Sequence, residues 1–257
     1  FNPTENIVDL SQYFLSDYVL ASDPLNNYWR VVSNELQPDP AFPNDFLAHF
    51  PEGTTIAPGQ TFVISLKDDA AFTSVWSSGG INVIPDFELV DDGLADGIPG
   101  LVDPGPDLIG RPFVLSAAGL SNNREVIVLF TWDFVSDLVQ DVDIVQWGNA
   151  GPDFNTLSPN KTGVTIDSAY DDDDITSTYQ PDTPPQGQDL ASTATGAHDF
   201  GKTVSRSDFQ EGAETEIGGN GPFGHNETSE NYSATWVAST AHSIGSPGPF
   251  GPPTVTR

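Results

Sequence analysis

Glu125-Val-Ile-Val-Leu-Phe-Thr-Trp-Asp-Phe134 places apolar side chains at successive positions, not at alternate ones. β-Branched and aromatic residues dominate it, so it reads as a strand. A strand apolar on both faces must be covered on both, which makes it the central strand of the fold. Further short clusters flank it: Phe14–Leu15, Tyr28–Val32, Thr61–Leu66, Pro112–Leu115, Val142–Trp147, Gly163–Ile166, Lys202–Ser205 and Thr235–Ala238. Each is bounded by Pro, Gly, Asn or Asp, the residues that make turns. Short strands separated by turn chemistry predict an all-β chain, a sandwich or barrel. In Asp141-Val-Asp-Ile-Val-Gln-Trp147 the apolar alternation changes phase between Ile144 and Val145, so a β-bulge is expected there.

Two regions break the rhythm. Residues 67–111 are acidic and punctuated by Pro, Gly and Asp; residues 149–230 are rich in Thr, Ser, Asp and Gly. They read as long, strand-poor insertions into one domain spanning 1–257, which closes on a Pro/Gly-rich tail at 246–257. The predicted core is Phe62, Ile64, Val126, Val128, Phe130, Val142, Ile144 and Trp236. The 16 Phe, 6 Tyr and 5 Trp in 257 residues are enough to fill it.

Charge and sulfur narrow the function. Eight Lys and Arg against 37 Asp and Glu leave a net charge of −29. Such a surface repels nucleic acid and anionic lipid, so no nucleic-acid partner is expected. No run of about 20 apolar residues exists, so no membrane insertion is expected. There is no Cys, so stability must come from the core, from ions or from assembly. The sequence opens at Phe1, so the terminus is expected to be processed or the chain to be a fragment, and a secreted or cell-surface location is the expectation.

Several segments resemble the lamin-tail domain family. Asp9-Leu-Ser-Gln-Tyr-Phe-Leu-Ser-Asp17 looks like its opening signature. Tyr28-Trp-Arg-Val31, Pro58-Gly-Gln-Thr-Phe-Val-Ile64, Leu120-Ser-Asn-Asn-Arg-Glu-Val-Ile-Val-Leu129 and Val142-Asp-Ile-Val-Gln-Trp-Gly148 follow in the family's order. Thr203-Val-Ser-Arg206, the stretch from Asn231 to Trp236, and Ser246-Pro-Gly248 are similar to the closing elements of its secreted bacterial type. The resemblance implies an immunoglobulin-like β-sandwich without catalytic apparatus. This chain departs from the pattern in its two insertions and in the apolar extension Trp132-Asp-Phe-Val-Ser-Asp-Leu-Val139. The family places an opening strand before the Asp-Leu-Ser motif, and the sequence begins close to where that strand would end, so the strand is expected either from another chain or from a longer precursor.

A sandwich without its first strand offers an open edge to another chain. The expected partner is a second copy, giving a head-to-tail homopolymer joined by strand exchange. Phe1, Ile7 and Val8 at the front and Phe250 and Val255 in the tail are the assembly candidates.

Ligand chemistry is thinner. Residues 86–107 hold Asp86, Glu88, Asp91, Asp92, Asp96, Asp103 and Asp107 with no base among them. Asp92, Asp96-Gly97 and Asp103 echo an EF-hand loop, although Leu94 stands at a ligand position and Pro99 and Pro104 restrict the wrap. Asp91, Asp92, Asp96 and Asp103 are therefore the candidate calcium ligands; no cofactor is otherwise required. The run Asp171–Asp174 is less specific, because consecutive carboxylates do not all face one ion. His49, His198, His225 and His242 show no metal-ligand spacing, and no nucleophile elbow or phosphate loop exists. Asn160, Asn226 and Asn231 open glycosylation sequons, so glycans are candidate partners. The expected function is a non-enzymatic extracellular structural protein, a filament or surface-assembly subunit. Its alternatives are a calcium-dependent adhesion or carbohydrate-binding module and the accessory module of a secreted hydrolase.

Overall fold

A computed structural model describes residues 1–38, 43–77, 83–91, 93, 95–114, 117–121, 123–148, 157–191, 203–209 and 214–239. Most regular structure in it is strand, arranged in several largely antiparallel sheets with few helices. The main sheet has four strands in the order β3-β2-β7-β8. These are β2 (Tyr13–Ser16), β3 (Leu47–His49), β7 (Arg124–Thr131) and β8 (Gln140–Gly148). Two-stranded pairs surround it: β1 (Val8–Asp9) with β4 (Thr55–Ile56), β5 (Ile64–Ser65) with β6 (Phe87–Glu88), β9 (Thr165–Ile166) with β10 (Ser177–Thr178), and β11 (Thr203–Arg206) with β12 (Trp236–Ser239). The pair β5–β6 is parallel.

The quoted central strand is β7, and it lies between β2 and β8 as expected. Val126, Val128 and Phe130 point into one core with Phe14, Tyr28, Trp29, Ile144, Ile166, Tyr179 and Tyr232. Phe14 faces Phe130 across the β2–β7 pair, and their rings stack 5.0 Å apart. Burying each such side chain contributes about 1.5–3 kcal/mol. Leu15 of β2 and Ala48 of β3 face the opposite side. There a second core forms from Leu10, Phe46, Phe50, Ile56, Phe87, Leu89 and Leu101.

The two insertions provide the cover. Phe87, Leu89 and Leu101 come from 67–111 and fill the second core; Ile166, Tyr179 and Ala191 come from 149–230 and fill the first. These polar-looking segments are held because a few apolar residues in each meet a sheet face that would otherwise be wet.

Several expectations need correction. Tyr28–Val31 is a 3-10 turn, not a strand, and buries Tyr28, Trp29 and Val31 together. A short apolar run does not distinguish a strand from a buried helical turn by period alone. The apolar extension after β7 is also a turn: Phe134 takes a left-handed φ of 65°, and the Asp133 carboxylate accepts the backbone N–H groups of Val135 and Ser136. In the predicted core, Val126, Val128, Phe130 and Ile144 are fully buried, whereas Phe62, Ile64, Val142 and Trp236 are half-buried.

The bulge exists but lies two residues before the expected place. Leu129 pairs with Asp143 and Phe130 with Asp141, leaving Val142 without a partner. This turns Asp141 onto the same sheet face as Ile144 and Phe130.

The edges of the main sheet meet the chain's own backbone. His49 of β3 exchanges two hydrogen bonds with Val102. On β8, the Asp141 N–H bonds to Asn220 and the Gln146 carbonyl to Ala191. These bonds cover part of each edge of the main sheet with the chain's own backbone. Among the assembly candidates, Phe1 packs edge-on against Phe209 at 5.0 Å, Ile7 is exposed and Val8 is half-buried in β1. Phe250 and Val255 lie outside the described residues. No helix among the described residues is long and apolar enough to cross a membrane.

Candidate functional site

The bulge at Val142 delivers Asp141 to the middle of the first core, where it meets Lys161. The Lys161 side chain is 0% exposed, Asp141 2% and Asp182 1%. Lys161 Nζ lies 2.5 Å from Asp141 Oδ2 and 3.3 Å from Asp182 Oδ2. It also donates to the Tyr28 hydroxyl at 2.9 Å, and that hydroxyl donates to Asp141 Oδ1 at 2.6 Å. The rings of Tyr28, Trp29 and Tyr179 stand 5.3, 5.4 and 5.8 Å from the ammonium, close enough for cation–π attraction.

Local structure presents each group. Tyr28 and Trp29 come from the 3-10 turn after β2. Lys161 opens a turn closed by the Val164 N–H on its own carbonyl, with Gly163 at φ 76° where other residues would be strained. Asp182 Oδ2 accepts the backbone N–H of Lys161 at 2.6 Å, and its Oδ1 accepts Asn220 Nδ2 at 2.7 Å. One carboxylate thus holds both the lysine's backbone and its head.

Electrostatics follow from the dryness. Burial pushes the Asp141 carboxyl above the usual carboxylate range, with Lys161 pulling the other way. Burial alone lowers Lys161, but the charges of Asp141 and then Asp182 outweigh it and hold the ammonium above its ordinary value. Tyr28 is raised far above the usual phenol, first by burial and then by Asp141. A buried ammonium with two carboxylates and a phenol, enclosed by rings, is a cross-link between four distant segments.

A second ionic link joins the β11–β12 ribbon to the main sheet. Arg206 reaches Asp143 at 2.5 Å and Glu230 at 2.6 Å, with the Trp236 ring 5.6 Å from its guanidinium carbon.

The candidate calcium set does not converge. Asp103 accepts the backbone N–H groups of Gly105, Phe113 and Val114, so both its oxygens serve the fold. Asp91 accepts the Gly93 N–H, and Asp92 lies outside the described residues. Asp96 instead comes close to Asp69 and Glu88. A different trio gathers near the acidic run: Asp137, Asp167 and Asp171 offer oxygens all within 4.8 Å of one another. Asp167 Oδ1 is buried there with no hydrogen-bond partner. The sequence reading missed this trio because Asp137 is about 30 residues from its partners, far outside any loop-motif spacing.

Of the glycosylation candidates, Asn160 and Asn231 are exposed. Asn226 is 3% exposed, and its side chain accepts the hydroxyl of Thr228, the threonine of its own sequon.

Among the described residues Ile217 and Phe223 are the most exposed large apolar side chains. Phe223 is fully exposed, with a left-handed φ of 59°. It stands at the lip of an open groove of about 730 Å³ whose wall also includes the exposed Val135 and Ile175.

Comparison with protein families, with curated proteins and with solved structures returns no match for this chain.

Proposed function

We propose that this chain is a non-enzymatic structural protein that works outside the cell as a subunit of a self-assembling filament or surface layer. The observation that carries the reading is Phe223. A large apolar side chain held out in water, on strained backbone, gains nothing in an isolated subunit. With Val135 and Ile175 around the adjoining groove, it forms a surface suited to a second copy of the chain. The buried Lys161 cluster supports the same reading, since it is a cross-link suited to a load-bearing subunit without disulfides. The main-sheet edges are partly covered by the chain's own backbone, and among the described residues β12 pairs only with β11, so we take the β11–β12 ribbon as the place for strand exchange. We read the fold as an elaborated immunoglobulin-like sandwich of lamin-tail type. Asp9 supports this: its carboxylate accepts both the N–H and the hydroxyl of Ser11, forming the turn that launches β2. Electron microscopy and sedimentation of the concentrated protein test assembly. Filaments or large oligomers that Phe223→Ala disperses are expected; a concentrated protein that stays monomeric would remove the reading.

A calcium-dependent adhesive role is the second reading, and it rests on Asp137, Asp167 and Asp171. Burial, then the charge of Asp137, raises the Asp167 carboxyl above its ordinary value, and Asp137 is held in place by the Ser168 N–H and the Ser177 hydroxyl. Calcium takes about six to eight oxygens, of which this trio would supply the charged ones.

A further inference from the structure

We propose that Lys161 and Asp141 are a modification site: the two side chains condense into an intramolecular amide, with Asp182 moving the protons. The inference stands on the geometry of the buried cluster and is independent of the assembly reading.

Three conditions for amide formation between side chains meet here. The nucleophile must lie against the carboxyl it attacks, and Lys161 Nζ is 2.5 Å from Asp141 Oδ2. A group must polarise the carboxyl, and the Tyr28 hydroxyl donates to Asp141 Oδ1 at 2.6 Å. A second carboxylate must accept and return protons, and Asp182 Oδ2 lies 3.3 Å from Nζ. Asp182 is itself pinned by the Lys161 N–H and by Asn220, so it stays in place while protons pass. The three side chains are almost wholly withdrawn from water, which removes the solvent that would reverse the reaction.

The step balances without any co-reactant. The step starts from the reactive arrangement in which Lys161 is the ammonium, Asp141 the carboxylic acid and Asp182 the carboxylate. Asp182 takes one proton from Nζ, and the free amine attacks Cγ of Asp141. The Nζ–Cγ bond forms while Tyr28 holds the developing oxyanion on Oδ1. Asp182 returns its proton to Oδ2, the Cγ–Oδ2 bond breaks, and Oδ2 leaves as water. The nitrogen then gives a second proton to Asp182. The products are one amide, one water and the Asp182 carboxylic acid, with charge and hydrogens conserved. Burial that keeps Asp141 protonated at higher pH than usual works in the same direction.

Mass spectrometry of the purified full chain reads the outcome. The folded protein is expected to be lighter than its sequence by one water. Trypsin should fail to cut after Lys161, leaving one peptide from Glu125 to Lys202, and an Asp-directed second digest should yield the Asp141 and Lys161 pieces joined. An aspartimide at an Asp-Gly step such as Asp96-Gly97 costs the same mass, so location matters. Lys161→Arg must abolish the deficit, and Asp182→Asn must slow or abolish it while circular dichroism reports a retained fold. A folded wild-type chain of full mass overturns the proposal, as does a deficit that persists in Lys161→Arg or maps away from Lys161. A link from Lys161 to Asp182 overturns the assignment of roles. Should Lys161→Arg not fold, the peptide map of the wild type decides alone.

Discussion

Asp141 sits opposite Phe130, at the place where uninterrupted pairing from Leu129 and Asp143 would have put Val142. That one-residue slip turns a carboxylate into the core and an aliphatic side chain half out of it. An inward charge of this kind persists only with a partner, and Lys161, Asp182 and Tyr28 are the partners.

Removing Lys161 alone should therefore be severe. Lys161→Met leaves Asp141 and Asp182 facing each other in a dry site, and a buried pair broken on one side costs about 3–5 kcal/mol. Urea denaturation checks this. Adding Asp141→Leu to Lys161→Met should recover part of the loss, because the second change removes the orphaned charge. A double variant less stable than the single one would contradict the account.

Tyr28→Phe offers a milder probe. It keeps the ring over Lys161 but strips the hydroxyl from Asp141 Oδ1, an unmade buried bond worth about 1–3 kcal/mol. Thermal unfolding should show a correspondingly lower midpoint with an unchanged cooperative transition.

Stability should fall as pH rises from mildly acidic to mildly basic. Burial pushes the Glu125 carboxyl up from 4.5 to about 7. Burial, with Asp45 and Glu125 adding to it, also raises Asp17 well above its usual value. An acid whose folded pKa exceeds its unfolded one favours the fold while protonated, so this contribution is complete below about 4.5 and lost as pH passes 7. Denaturation at pH 5 and pH 8 measures the slope, and Glu125→Gln should flatten it across that window.

Phe223→Gly should separate stability from assembly. Glycine takes φ 59° without the left-handed penalty of about 1–2 kcal/mol, and the freedom it adds to the unfolded chain offsets part of that, so the isolated subunit should not be destabilised. The same change deletes the exposed ring, so any oligomer should dissociate at higher protein concentration. A subunit destabilised by this substitution would mean that Phe223 supports its own fold.

Calcium should raise the melting temperature only if the Asp137 trio binds it. Titration calorimetry with calcium chloride is expected to show one site that Asp167→Asn weakens at least tenfold. No heat and no melting shift in the wild type would remove the adhesive reading.

Some of this was legible in the chain itself. β7 announced its central place because both of its faces are apolar, and β2, β8, β11 and β12 each fell on a predicted cluster. The phase break in β8 was visible too, although the extra residue proved to be Val142. The strands β1, β3, β4, β6 and β10 went unseen. Each has two or three residues, too few for a period, and exists because of the strand it pairs with. Lys161 gave a faint signal as one of only eight bases in a strongly acidic chain, between Pro159 and Gly163.

Local pattern thus determined the β character, the central strand, the strongly negative charge and the dependence on something other than disulfides. These follow from properties that residues carry with them: branching, polarity, charge and the lack of a thiol. Which carboxylates would be buried was decided only by the tertiary structure. Desolvation belongs to a place, not to a residue, and that place exists only once a bulge has set the face of β8 and segments more than 100 residues apart have closed over it.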